Sequence, residues 1–285
     1  MANLKDIRRR IGSVKGTQKI TSAMKMVAAA KLRKAQSRAE AFRPYRERMT
    51  EILARTAAGA QADAHPLLQR RKEKSSLILV VSSDRGLCGG FNSNLSRMVA
   101  RHRLESAVTP ELSIIGRKAK GYFEHRHVAL HQFYPEVLDR LHYSDAVRIA
   151  RELETAYTTE QFDRIDLASN RMESMVKQVP VIVPLLPVAL PTASDATASM
   201  DFLFEPDEEQ LLAALLPRYL ETQVFGALLE SVAAEHAARM TAMETATGNA
   251  EDMIDGLTLQ YNRARQSAIT SELMDIVGGA EALND

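Results

Sequence analysis

MTAMETATGNAEDMIDGLTLQYNRARQSA, residues 240–268, decides the fold. Its apolar and small residues fall at Met240, Met243, Thr247, Ala250, Ile254, Leu257, Tyr261, Ala264 and Ala268. The steps alternate three and four without a break, which is the seam of a coiled coil. At Ile269 the seam jumps by one residue and resumes at Leu273, Ile276 and Ala280. Such a jump rotates the apolar face locally, as a stutter does. Only Pro206 and Pro217 come near this stretch, so the spacing predicts one helix from about Glu208 to Ala280. At ~1.5 Å per residue, about 70 residues of helix reach roughly 100 Å. A helix of that length needs a second element beside it.

The other end of the chain supplies one. Leu4, Ile7, Ile11 and Val14 again step by three and four, followed by Ile20, Met24 and Val27. No proline occurs before Pro44, so a second long helix is expected from about residue 3 to 57. Two such helices at opposite ends of one chain most simply pair antiparallel. The small residues Ala23, Ala28, Ala29 and Ala30 face Ala246, Ala250, Ala264 and Ala268 in this reading, and would allow close approach. An ordinary helical bundle would need further helices to cover these faces, and the sequence does not supply them.

Composition bounds the rest. The 285 residues are 45% hydrophobic and 26% charged, enough for one or two domains. One cysteine, Cys88, excludes an intramolecular disulfide. The longest apolar run, Val179 to Leu190, is interrupted by Pro180, Pro184 and Pro187, and falls short of a membrane span. Charges begin at Lys5 with no apolar stretch after them, so no secretory leader is read. The net charge of +1 conceals an asymmetry. Residues 1–50 hold 14 Lys and Arg against 3 Asp and Glu, while the remainder holds 23 against 33. A basic helix suits nucleic acid, an acidic lipid surface, an acidic protein partner or plain solvent. Aromatic residues for base stacking are missing until Phe42 and Tyr45, which weakens the nucleic-acid reading.

The middle of the chain alternates strands and helices. Strands are expected at Leu77–Ser82, Leu112–Gly116, His127–Phe133, Phe162–Ser169 and Val176–Leu186. Helices are expected at Asn94–Glu105 and Arg117–Arg126, and from a Ser144 cap to Thr158. This predicts an α/β, Rossmann-like domain with a mainly parallel sheet and an antiparallel edge from the last two strands. The domain organisation expected is 1–60, one helix of the coiled coil; 75–195, the α/β domain; and 206–285, the other helix.

Chemistry in that domain is sparse. Gly86, Gly89 and Gly90 lie between a strand and a helix, but neither dinucleotide-binding nor P-loop spacing follows, so a tight turn is read there. Cys88 has no activating pattern beside it. His125, His127 and His131 could share a strand face and bind zinc, yet they cross a predicted helix–strand boundary and read as a surface cluster. No metal, cofactor or small-molecule substrate is expected.

Four stretches carry a resemblance: RIGSVKGTQKITSAMKMVA (10–28), SDRGLCGGFN (83–92), EHAARMTAM (235–243) and YNRARQSAITSELMDIVG (261–278). In this order they resemble the gamma subunit of the F-type ATP synthase, over residues 2–281. Gly248 departs from the family's helix-friendly residue, and with Cys88 alone the thiol switch of chloroplast members is not implied. The resemblance implies a non-catalytic rotor shaft that couples ion translocation to ATP synthesis or hydrolysis. Its partners would be the alpha and beta subunits of the catalytic ring, the epsilon subunit and the membrane rotor ring of c subunits. It implies beta-subunit contacts at Met24, Arg265, Gln266, Thr270 and Glu272. It implies rotor-ring or epsilon contacts at Arg43, Tyr45, Phe202, Phe204, Glu205 and Asp207. The implied location is peripheral, on the cytoplasmic face of a bacterial inner membrane. A nucleic-acid-binding two-helix arm is the rival reading, and nucleotide binding at Gly86–Gly90 the enzymatic one.

Overall fold

The computed structural model describes residues 4–56, 65–189 and 208–281. In chain order these form α1 (Leu4–Thr56), β1 (Ser76–Val81), α2 (Phe91–Glu105), β2 (Glu111–Ile115), α3 (Arg117–Glu124), β3 (Gln132–Tyr134), α4 (Tyr143–Thr158), β4 (Arg164–Met172), β5 (Gln178–Leu186) and α5 (Glu208–Glu281). The chain divides into two compact units. One takes the described residues up to Val27 together with those from Met240 onward; the other is Ala28–Arg239. The division cuts both long helices rather than following their ends, as the expected boundaries did.

In the first unit, α1 and α5 run antiparallel. Thr247 donates to the Thr21 hydroxyl at 2.8 Å, and Lys25 Nζ reaches Glu244 Oε1 at 2.6 Å. On α5 Met243, Thr247, Ala250, Ile254, Leu257, Tyr261 and Ala264 are all shielded, at the spacing read from the sequence, with Thr241, Ala242, Ala246 and Asn262 partly shielded beside them. Leu257 is half-buried, not fully buried. On α1 the register differs from expectation. Shielding follows Leu4, Ile7, Ile11, Val14, Gln18, Thr21 and Lys25, whereas Ile20 and Val27 stand 62% and 57% exposed. A heptad step carries the seam from Val14 onto Gln18, Thr21 and Lys25, and Thr247 and Glu244 match Thr21 and Lys25 across it. Ala23, Ala30 and Ala268 are likewise exposed, off the packed line. The stutter does not restart a seam: Ile269, Leu273 and Ile276 are all exposed. The helix runs through Gly248 without a break.

In the second unit, the sheet has the order β3-β2-β1-β4-β5. β1 pairs parallel with β2 and β4, β2 parallel with β3, and β5 antiparallel with β4. That is the expected mixed sheet. Period-2 alternation sorts β1 between two cores. Leu77, Leu79 and Val81 join Ile149 and Leu153 of α4, Leu53 of α1 and Leu216, Val224 and Leu228 of α5. Ile78 and Val80 join Leu95 and Val99 of α2 and Phe123 of α3. Both faces being covered, β1 is apolar from Leu77 to Val81. Between Tyr219 and Arg239 no residue of α5 is exposed, because sheet and α1 enclose it. Phe42 of α1 meets Phe225 of α5 edge-on at 4.8 Å.

Local corrections have local causes. His127–His131 is turn and irregular chain rather than strand: His127 takes φ 56 after a bond from its N–H to the Glu124 carbonyl, and the pairing of β3 with β2 begins at Gln132. α2 starts at Phe91, three residues earlier than expected, because Cys88 and Gly90 already accept helical-turn bonds. α4 is capped at His142, whose backbone N–H donates to Asp145 Oδ2 at 3.0 Å, so Ser144 lies inside the helix. β4 and β5 each begin two residues later than expected.

Candidate functional site

The glycine loop is the first candidate. Leu87 and Gly89 both take positive φ, 61° and 56°, so the turn is tight and glycine serves it at Gly89. A buried network closes it: Asn92 Oδ1 accepts from the Ser83 N–H at 3.0 Å, and Asn92 Nδ2 donates to Cys88 Sγ at 3.1 Å. Burial pushes the Cys88 thiol up, away from the thiolate a nucleophile needs. The adjacent N-terminus of α3 could hold an anion, but this chain fills it. Arg117 N–H donates to Asp84 Oδ1 at 3.1 Å, Lys118 N–H to the Ser83 carbonyl at 3.1 Å, and Ala119 N–H to Ser82 Oγ at 3.0 Å. Gly116 makes this approach possible: at φ 92, a Cβ there would lie 2.1 Å from the Ser82 carbonyl oxygen. The loop is therefore spent on internal bonds.

His125, His127 and His131 do not converge. His125 caps α3, His127 sits in the turn, and His131 Nδ1 lies 3.3 Å from Glu111 Oε2. Among the described residues, no group of three or more His, Cys, Asp or Glu is placed to hold a metal ion.

The helix-borne residues divide by unit. Met24 lies half-buried on α1, beside the seam. Arg265, Gln266, Thr270 and Glu272 are all exposed on α5, the Thr270 hydroxyl donating back to the Gln266 carbonyl at 3.0 Å. From Arg265 to Val277 every residue of α5 is exposed, including Ile269, Leu273, Met274, Ile276 and Val277. A helix surface this apolar and this bare within one chain is the mark of an interaction segment. In the second unit Arg43 and Tyr45 are exposed on α1, and Tyr45 stacks obliquely on Phe42 at 5.5 Å. Phe202, Phe204, Glu205 and Asp207 lie outside the described residues.

Sequence reading missed the buried pair Glu235–Arg239, 2.6 Å apart on α5. Arg239 also donates to the Gly86 carbonyl at 3.2 Å. Its signal was present: two opposite charges at i and i+4 amid Ala233, Ala234, Ala237 and Ala238. Burial pushes the Glu235 carboxyl up, with Arg239 drawing it back. Beside them, burial and the charges of Arg239 and Lys31 push His236 down to about 4. No helix among the described residues is long and apolar enough to cross a membrane.

These features define a class: an α/β domain placed, in sequence, between the two strands of an antiparallel coiled coil, with one strand continuing as a bare helix. Comparison with known proteins makes the class specific. The profile of a family described as ATP synthase matches residues 3–283. The chain is 50% identical to the ATP synthase gamma chain of Anaeromyxobacter sp. (strain Fw109-5), over 99% of this chain and 100% of the relative. It is 46% identical to that of Geotalea uraniireducens (strain Rf4), over 99% of both. A chain from the central stalk and c-ring structure of Tetrahymena thermophila mitochondrial ATP synthase superposes with a TM-score of 0.62 at 27% identity, covering 80% of this chain and 99% of that one. A chain of the Euglena gracilis mitochondrial enzyme gives 0.72 at 20% identity, covering 98% and 94%, which speaks to the fold. The chain belongs to the ATP synthase gamma chain family.

Proposed function

We propose that this chain is the central rotor shaft of an F-type ATP synthase, a non-catalytic subunit that transmits torque between an ion-driven membrane ring and the catalytic alpha/beta ring. Family membership supports the role. The observation that carries it is the exposed stretch Arg265–Val277, an apolar helix surface left for another protein to cover. Inserted in a ring of alternating alpha and beta subunits, an asymmetric helix contacts each catalytic subunit differently. Each orientation then favours a different conformation in each subunit, and rotation changes which site binds nucleotide tightly.

Arg265, Gln266, Thr270 and Glu272 are the side chains proposed to touch the beta subunits there, since all four are exposed on that stretch. Met24 is proposed as a bearing contact on α1, where an unbranched thioether tolerates sliding neighbours. The cations of α1, among them the exposed Lys31, Arg33, Lys34 and Arg38, suit acidic loops of the beta subunits. Arg43 and Tyr45, with Phe202, Phe204, Glu205 and Asp207, are proposed for the epsilon subunit and the c-ring. The proposed location is peripheral, at the cytoplasmic face of a bacterial inner membrane.

Reconstitution with alpha and beta subunits tests the reading. A stable complex with one copy of this chain per ring, and ATP hydrolysis that depends on it, is the expected result. Failure to assemble, or salt-sensitive retention on nucleic acid in its place, overturns it.

A further inference from the structure

Arg239 performs more than ion pairing. Its side chain and that of Glu235 are only 12% and 10% exposed, on adjacent turns of α5. Arg239 Nη2 donates to Glu235 Oε1 at 2.6 Å and to the Gly86 carbonyl oxygen at 3.2 Å, while Nη1 lies 3.3 Å from His236 Nδ1. Next to this, Cys88 and Phe91 pack on Ala234 and Ala238, small side chains that let the loop approach the helix. The loop is stiffened from within by Ser83 and Asn92. It holds Leu87 outward, 63% exposed at φ 61.

We propose that Arg239 is a positioning residue that latches the Asp84–Gly90 loop to α5, so that loop and helix move as one body. Glu235 orients the guanidinium and neutralises it where water is scarce, and the second N–H of the same Nη2 is left for Gly86. In its consequence this deepens the shaft reading and rests on it: force on the α/β domain would reach α5 through this contact as well as through the apolar core.

Removing Arg239 alone strands a buried carboxylate and risks unfolding. The test therefore uses the double variant Glu235→Gln/Arg239→Met, which leaves no buried charge, beside Glu235→Gln and Arg239→Lys. Amide hydrogen exchange is followed on residues 84–90 of the full chain, alone and in the reconstituted enzyme. Ion pumping per ATP is measured on the enzyme. The double variant should speed loop exchange by about tenfold or more, as loss of a charge-assisted hydrogen bond implies. β1 and β2 should stay protected. Glu235→Gln, which keeps the Gly86 bond, should have a smaller effect, and Arg239→Lys should fall between them. Pumping per ATP should fall in the same order. Loop exchange within twofold of the parent in the double variant overturns the latch. Faster loop exchange with unchanged pumping overturns its part in coupling. A parent enzyme that does not assemble or pump would count against the shaft reading instead, leaving the exchange result to stand.

Discussion

Replacing Ile269, Leu273 and Ile276 together by glutamine separates a side chain that stabilises this chain from one that binds another. The three are 49%, 57% and 64% exposed on α5, so about half of each surface remains to be covered. Burying such a side chain fully is worth ~1.5–3 kcal/mol, so covering the remaining half is worth ~1 kcal/mol each. Losing ~3 kcal/mol across three positions weakens assembly roughly 100-fold, at ~1.4 kcal/mol per factor of ten. The isolated chain should be indifferent. Glutamine is at least as good a helix former as isoleucine, and exposed substitutions of this kind stay within about 0.5 kcal/mol. Circular dichroism and thermal unfolding measure the isolated chain, and titration of labelled chain onto alpha/beta rings measures assembly. If assembly stays within about threefold of the parent, the stretch is not a docking surface. If the isolated chain loses ~3 kcal/mol, these residues pack within it and the reasoning fails.

Arg265→Ala should lower coupled turnover of the assembled enzyme while helicity of the isolated chain is unchanged, since the side chain is exposed; normal turnover with normal assembly counts against it. Leu257→Ala removes a half-buried seam side chain, so its cost should be ~1–2 kcal/mol, below the ~2–5 of a fully buried leucine. Chemical denaturation reads this directly, and a loss of 4 kcal/mol or more, on the order seen for fully buried sites, would mean that the seam is tighter than it stands here. His236 gives a pH test. Its folded imidazole is pushed from 6.5 down to about 4, so the unfolded chain binds the extra proton between those values, and stability falls as pH drops through that window. The parent should therefore lose more stability than His236→Gln between pH 7 and pH 5; equal losses would show that His236 is not the group responsible.

Much of the molecule was legible in the residues. On α5 every position that the alternation of threes and fours picks out from Met240 to Ala264 is shielded, because there the seam is made of apolar and small residues. β1 was legible as well, since five consecutive apolar residues, Leu77 to Val81, covered on both faces leave one reading. Four motifs identified the family before any coordinate was needed.

Tertiary structure decided the rest, and for a shared reason. On α1 the seam passes through Gln18, Thr21 and Lys25 and leaves Ile20 and Val27 in the open. Hydrophobicity cannot mark such positions, because their fitness depends on Thr247 and Glu244 lying opposite, more than 200 positions away in the chain. The start of β3, the filled N-terminus of α3 and the reach of Arg239 to Gly86 depend in the same way on what another segment brings. The sequence by itself determined the two long helices, the α/β sheet between them in sequence and the family. Only the folded chain decided which polar groups are buried, because a buried hydrogen bond or ion pair is favourable only once both partners have been brought within about 3 Å of each other.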